Sequence, residues 1–232
     1  MGGQQVTFTI RPKVGGEAFA TTELAFTRTA ERVKRHVDFD SQGRTLIDGK
    51  RVFLLGCFGK GMTDERIAIY KKGPFNYLMQ YGKLKREHLD KLGAAGIYVA
   101  SDARTLLYDC GYFEDGHPNT REESRKLIPA KIREVADHPA LIAWYVVDES
   151  PLSCIPAISE SVRLFHKLDP DRPTYAVLDK PEHVRAFLPC YDVLGMDPYP
   201  IGNKGDRADI SIASAWAKEA REERKSWTYR HR

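Results

Sequence analysis

Six short apolar stretches alternating with segments of helical period set the first limit on what this chain can become. They run from Arg51 to Gly56, Phe75 to Met79, Ile97 to Ala100, Leu141 to Val147, Thr174 to Leu178 and Asp192 to Met196. A strand that is apolar at consecutive positions is buried on both faces, as in a parallel sheet covered by helices. Between the stretches, Leu84, His88, Leu89 and Leu92 share one helical face. Leu127, Ile128, Ile132 and Val135 share another, and Ile155, Ile158, Val162 and Phe165 a third. The segment from Ile212 to Lys225 adds a helix with a charged face. Strands alternating with helices in this way predict parallel βαβ units.

Two architectures satisfy that alternation, an open doubly wound sheet and a (β/α)8 barrel. The open sheet usually announces itself by a glycine-rich phosphate turn after its first strand. Gly56-Cys57-Phe58-Gly59-Lys60-Gly61 has the glycines but neither GxGxxG nor GxxxxGK[ST] spacing. A full barrel takes about 250 residues, so the stretch from Val52 to Arg232 holds about six units of roughly 31 residues. The expected fold class is α/β: an incomplete (β/α)8 TIM-type barrel of about six βα units over residues 38–232. Residues 1–37 read differently. Val6 to Ile10 and Thr22 to Arg28 alternate polar with apolar, punctuated by Pro12, Gly15 and Gly16. They predict two or three antiparallel strands, too few for a domain, and so the remnant of a β-sandwich.

Several function classes recede on composition. Formal net charge is +4, but the cations are scattered among 32 acidic residues without a basic stripe, so no nucleic acid partner is expected. No apolar run reaches the roughly 20 residues needed to span a bilayer, so no membrane association is expected. Met1 to Val6 lacks the basic and apolar regions of an export signal, which leaves the compartment open. Four cysteines lie far apart, outside any CxxC pair, and read as buried free thiols. Seven histidines form no HxH or HxxxH pair, so neither a metal nor any other cofactor is expected. No GxSxG supplies an esterase nucleophile.

In a barrel the chemistry sits at the C-terminal ends of the strands. Those positions are Cys57-Phe58, Gln80-Tyr81, Ser101-Asp102 with Arg104, Asp148-Glu149, Asp179 and Asp197-Pro198-Tyr199. Carboxyls and aromatic rings converge on one rim, a combination suited to moving protons beside a stacked sugar. The segment Asp137-His138-Pro139 through Trp144 to Asp148-Glu149-Ser150-Pro151 resembles the acid/base strand of clan A glycoside hydrolases, families 2 and 5. In those, a His-Pro pair precedes a Trp-bearing strand that ends in Asn-Glu or Asp-Glu. Asp48-Gly49-Lys50 leading into Phe53 is similar to the start of their barrels, and Asp192 to Pro200 looks like their sixth strand.

The resemblance implies hydrolysis of a β-glycosidic bond with retention, by a carbohydrate-binding protein. Glu149 would be the acid/base and Tyr199 would orient the nucleophile. Asp148, Asp197, Tyr81, Asp102, Arg104 and Tyr145 would contact substrate. Asp148 stands where Asn is usual, and an ionised Asp there is expected to raise the Glu149 pKa by like-charge repulsion. The family's nucleophile lies at the end of strand seven, whereas this chain runs out at Ser226 to Arg232, which contain no carboxylate. The expectation is a barrel truncated before that strand, weak or inactive alone. Its unpaired first and sixth strands would favour a homodimer or larger assembly. The alternatives are a carbohydrate-binding barrel fragment without catalysis and another hydrolase built on the surviving carboxyls.

Overall fold

A computed structural model of the chain describes residues 3–10, 20–27, 34–60, 63–108, 117–200 and 211–230. The chain divides into two compact units, Met1–Lys34 and Arg35–Arg232. In the first, β1 (Gly3–Ile10) and β2 (Ala20–Thr27) form an antiparallel pair, with Gly3 opposite Thr27 and Ile10 opposite Ala20.

The second unit opens with three short antiparallel strands, β3 (Val37–Phe39), β4 (Thr45–Ile47) and β5 (Lys50–Arg51). Asp48 and Gly49 join β4 to β5 with φ of 49° and 77°. Two successive positive φ values make a two-residue hairpin turn, which explains the Asp-Gly pair. Six parallel strands follow, β6 (Gly56–Gly59), β7 (Tyr77–Gln80), β8 (Tyr98–Asp102), β9 (Leu141–Asp148), β10 (Thr174–Leu178) and β11 (Val193–Met196). They pair in sequence order into one curled sheet, a half-barrel, with β6 and β11 at its two ends.

Helices α1 (Asp64–Lys72), α2 (Arg86–Ala94), α3 (Arg121–Val135), α4 (Ile155–Leu168), α5 (Val184–Phe187) and α6 (Ser211–Arg230) connect or follow the strands. The helix-facing layer is apolar throughout: Leu89, Leu92, Ile128, Ile132, Val135, Ile158, Val162 and Phe165 pack against Leu78, Val99, Trp144, Val146 and Leu178. Side chains of this size each contribute about 1.5–3 kcal/mol when fully buried. α3 begins with a reciprocal cap. Thr120 Oγ1 accepts from the Glu123 N–H at 3.2 Å, and Glu123 Oε2 accepts from the Thr120 N–H at 3.2 Å.

One strand departs from expectation. The apolar run Val52 to Leu55 is not the first parallel strand; it is the approach to it. Val52 and Leu54 turn inward onto Val37, Ile47 and Ile142, while Phe53 is 83% exposed. The Asn76 side chain ties this segment down, donating to Phe53 O and accepting from the Leu55 N–H, both at 2.9 Å. The strand itself is Gly56–Gly59. A Cβ at Gly56 would lie 1.7 Å from the Tyr77 carbonyl oxygen, so only glycine fits. The thiols also divide: Cys154 and Cys190 are buried, but Cys57 is exposed, and Cys110 lies outside the described residues.

The N-terminal end of β9 is fixed by buried polar groups. Trp144 Nε1 donates to Asp169 Oδ2 at 2.8 Å, and Arg172 donates to Asp169, Leu141 O and His138 O. His138 Nδ1 accepts from the Ala140 N–H at 3.1 Å. The His-Pro pair before the strand is thereby anchored, which sets where β9 starts and so where it ends.

Candidate active site

Ligands of parallel α/β sheets bind outside the carboxyl ends of the strands. Here that edge carries most of the polar groups that the sheet does not use internally. β9 is buried from Leu141 to Val147 and delivers Asp148 and Glu149 at its end. Glu149 has φ of 49°, in the left-handed region. That conformation costs a non-glycine residue about 1–2 kcal/mol. Its N–H nonetheless donates to Val177 O at 3.0 Å, so the backbone stays tied to β10 while the side chain turns out of the sheet. From the other side of β10, the Asp197 N–H donates to Leu178 O at 3.0 Å.

Tyr199 closes over this pair. Its hydroxyl hydrogen-bonds to Glu149 Oε1 and lies 3.0 Å from Asp197 Oδ2. The ring is 65% exposed, so this side chain forms part of the open rim. The Glu149 pKa is raised: burial pushes it up, the Tyr199 hydrogen bond pulls it down, and the charges of Asp179 and Asp197 push it up again. Hydrogen bonding to Glu149, then burial, raises the Tyr199 phenol.

A second constellation lies behind the first. Arg104 follows β8 in a 3-10 turn, Ala103–Leu106. Its Nε and Nη2 each donate to Asp102 at 2.8 Å, a two-pronged pairing, and its Nη1 donates to Asp148 Oδ2. The guanidinium lies 5.3 Å from the centre of the Tyr81 ring and 5.0 Å from that of Tyr145. Asp102 also accepts from the Gly82 N–H at 3.0 Å. Burial opposes the Arg104 charge, but Asp102 and then Asp148 more than compensate, and its pKa is raised.

The expected rise in the Glu149 pKa is present, with burial as its largest cause. Arg104 takes up the Asp148 charge, and the acids acting most on Glu149 are Asp179 and Asp197.

All eight predicted residues lie at the carboxyl edge, in two groups. Glu149, Asp197 and Tyr199 form the open group. Asp102, Arg104 and Tyr145 are buried behind it, with Asp148 and Tyr81 partly exposed between them. Two aromatic rings join the inner layer. Phe58 stands 5.7 Å from both Tyr81 and Tyr145, and Tyr175 stands 5.3 Å from Tyr145. Burial, followed by the charges of Asp197 and Asp148, pushes the Tyr175 hydroxyl up to about 12. Two-residue alternation in β10 was the signal for Tyr175, since it puts Tyr175 and Val177 on the concave face. Among the described residues, no group of three or more His, Cys, Asp or Glu is arranged to hold a metal ion.

Two clefts lie away from this edge. One of about 410 Å³ opens between α3 and α4, lined by Arg121, Arg125, Glu160, Arg163 and Lys167. Another of about 240 Å³ sits on the concave side, lined by Leu54, Tyr77, Ile142, Tyr175 and Val193. Glu149 is on an open rim.

No protein-family model matches the chain, and no curated protein does. Solved structures do. The β-glucuronidase of Parabacteroides merdae superposes with a TM-score of 0.62 at 20% identity, covering 94% of this chain and 28% of that one. The β-D-glucuronidase of Dictyoglomus thermophilum gives 0.60 at 16% identity, covering 88% and 38%. A glycosyl hydrolase family 2 member from Bacteroides cellulosilyticus gives 0.53 at 17%, covering 83% and 26%. The fold is shared with these glycoside hydrolases. At such identities the likeness concerns the fold, and the chain spans only about a quarter to two fifths of their length.

Proposed function

We propose that the curled sheet is six units of a (β/α)8-type barrel, and that its carboxyl edge is a glycosidase-type site for a β-linked carbohydrate. Glu149 is the acid/base: it protonates the leaving oxygen and then deprotonates the incoming water. Tyr199 orients the carboxyls, and its exposed ring, with Phe58, offers a face for stacking a sugar. Arg104, locked by Asp102 and flanked by Tyr81 and Tyr145, holds Asp148 as a fixed acceptor for a substrate hydroxyl. The observation that carries this reading is the placement of Glu149. A carboxyl in a strained left-handed backbone at a strand end, capped by a tyrosine from two strands away, fits a functional group better than a surface acid.

The test is hydrolysis of a panel of aryl β-glycosides, including glucuronides and galactosides, by the chain and by Glu149→Gln. Turnover that disappears in the variant supports the assignment, and full turnover in the variant refutes it. A second reading, sugar binding without cleavage, is favoured by the exposure of Tyr199 and Phe58, at 65% and 43%. It predicts saturable oligosaccharide binding that Tyr199→Ala weakens, with no turnover in either form.

A further inference from the structure

The contacts of the Tyr199 hydroxyl hold more than an orienting role. It reaches two carboxyl oxygens, Glu149 Oε1 and Asp197 Oδ2. A phenol carries one proton, and an ionised carboxylate only accepts. Were both acids ionised, that single proton would be shared between two carboxylates whose charges repel. A proton on one of the acids relieves that repulsion and gives each contact its own hydrogen.

The geometry points to Glu149 and Asp197 being linked through Tyr199, with Asp197 the positioning residue that favours the protonated form of Glu149. The backbone enforces the pairing. Val177 and Leu178 are consecutive in β10, and their carbonyls accept from Glu149 on one side and from Asp197 on the other, each at 3.0 Å. The backbones that carry the two carboxyls are therefore held on either side of β10 by the sheet's last rungs.

The neighbouring charges favour the same state. Asp148 is compensated by Arg104, as is Asp102. Asp179, beyond the end of β10, adds negative charge that only the 4.0 Å contact with Lys180 offsets. Tyr145 and Tyr175 are neutral phenols held well above their ordinary range by burial. Nothing on these elements supplies a cation to Glu149 itself among the described residues.

This inference deepens the glycosidase reading, yet its test does not involve turnover. The full chain, with 13C-labelled Glu and Asp carboxyls, is titrated by NMR as wild type, Asp197→Asn, Tyr199→Phe and Glu149→Gln. Asp197→Asn should move the Glu149 titration down, because a neighbouring negative charge is gone. Tyr199→Phe should move it up, because a donor to the carboxylate is gone. Glu149→Gln identifies the Glu149 signal by removing it. These opposite signs cannot come from general loosening of the fold. A Glu149 titration unmoved by Asp197→Asn in a chain with a native amide spectrum overturns the proposal, as do shifts of the same sign in Asp197→Asn and Tyr199→Phe. An inactive chain that shows the opposite shifts leaves it standing and refutes only catalysis.

Discussion

Removing the Arg104 guanidinium should destabilise the second unit far more than an ordinary substitution at a strand end. Arg104→Met keeps much of the stem volume between the Tyr81 and Tyr145 rings but takes the guanidinium away from two carboxylates. The Asp102 side chain has no solvent exposure and would keep backbone N–H donors, among them those of Gly82 and of residue 104 itself. Asp148 is 22% exposed and can recover part of its hydration. Breaking a buried pair by deleting one partner costs about 3–5 kcal/mol, and the exposure of Asp148 places this case near 3. For a unit of this size, each kcal/mol lowers Tm by roughly 2–4 °C, so a fall of about 6–12 °C is expected by circular dichroism. The double variant Arg104→Met/Asp102→Asn removes the orphaned charge and should regain part of that loss. A single variant within about 2 °C of wild type would refute the reasoning. So would a double variant that loses the full sum of the two single effects.

Glu149→Gln should cut any glycosidase activity by about 10²–10⁴-fold with Tm unchanged. At the same position Glu149→Gly should be more stable than Glu149→Ala by about 1 kcal/mol in urea unfolding, since φ there is positive; equal stability would deny the strain. The His166–Asp192 pair, at 2.7 Å, gives a pH signature. The Asp192 hydrogen bond raises His166, so its contribution is full below about pH 6.5 and is lost as pH rises through the raised folded value. Burial of Asp192 is outweighed by hydrogen bonds from His166 and Thr174, so its contribution is present above about pH 3.9 and is lost as pH falls through the lowered value. The urea midpoint of His166→Gln should therefore converge on that of wild type above neutral pH and fall short of it between about pH 4 and 6.5; parallel curves would exclude the linkage. Finally, β6 and β11 each pair on one side only among the described residues, with Phe53, Leu55 and Phe58 exposed near the β6 edge. Sedimentation at micromolar concentration should show a dimer or larger, and a stable monomer would contradict it.

What could be read from the sequence follows the range of the interactions involved. β9 was legible because its apolar run is long enough to be buried on both faces, and its terminal Asp-Glu follows from where that run stops. Tyr199 and Asp197 were legible as the end of a strand punctuated by Pro198. The start of the sheet was misplaced because Val52 to Leu55 is as apolar as a strand. Its alternation, with Val52 and Leu54 inward and Phe53 out, serves the closing layer under the sheet instead. The true strand, Gly56–Gly59, is short and glycine-bearing because Tyr77 leaves no room for a side chain at Gly56. Such a constraint belongs to the neighbouring strand, and no local pattern records it. The same holds for Asp148. Read beside Glu149 alone, it is a like charge that would make its neighbour a weaker acid. The partner that reverses this reading, Arg104, is 44 residues earlier, on another strand's turn, and is held there by Asp102. Sequence adjacency reports only the repulsion. Arg104 meets the Asp148 charge from across the sheet, while burial, then Asp179 and Asp197 from the two strands that follow, push the Glu149 pKa up.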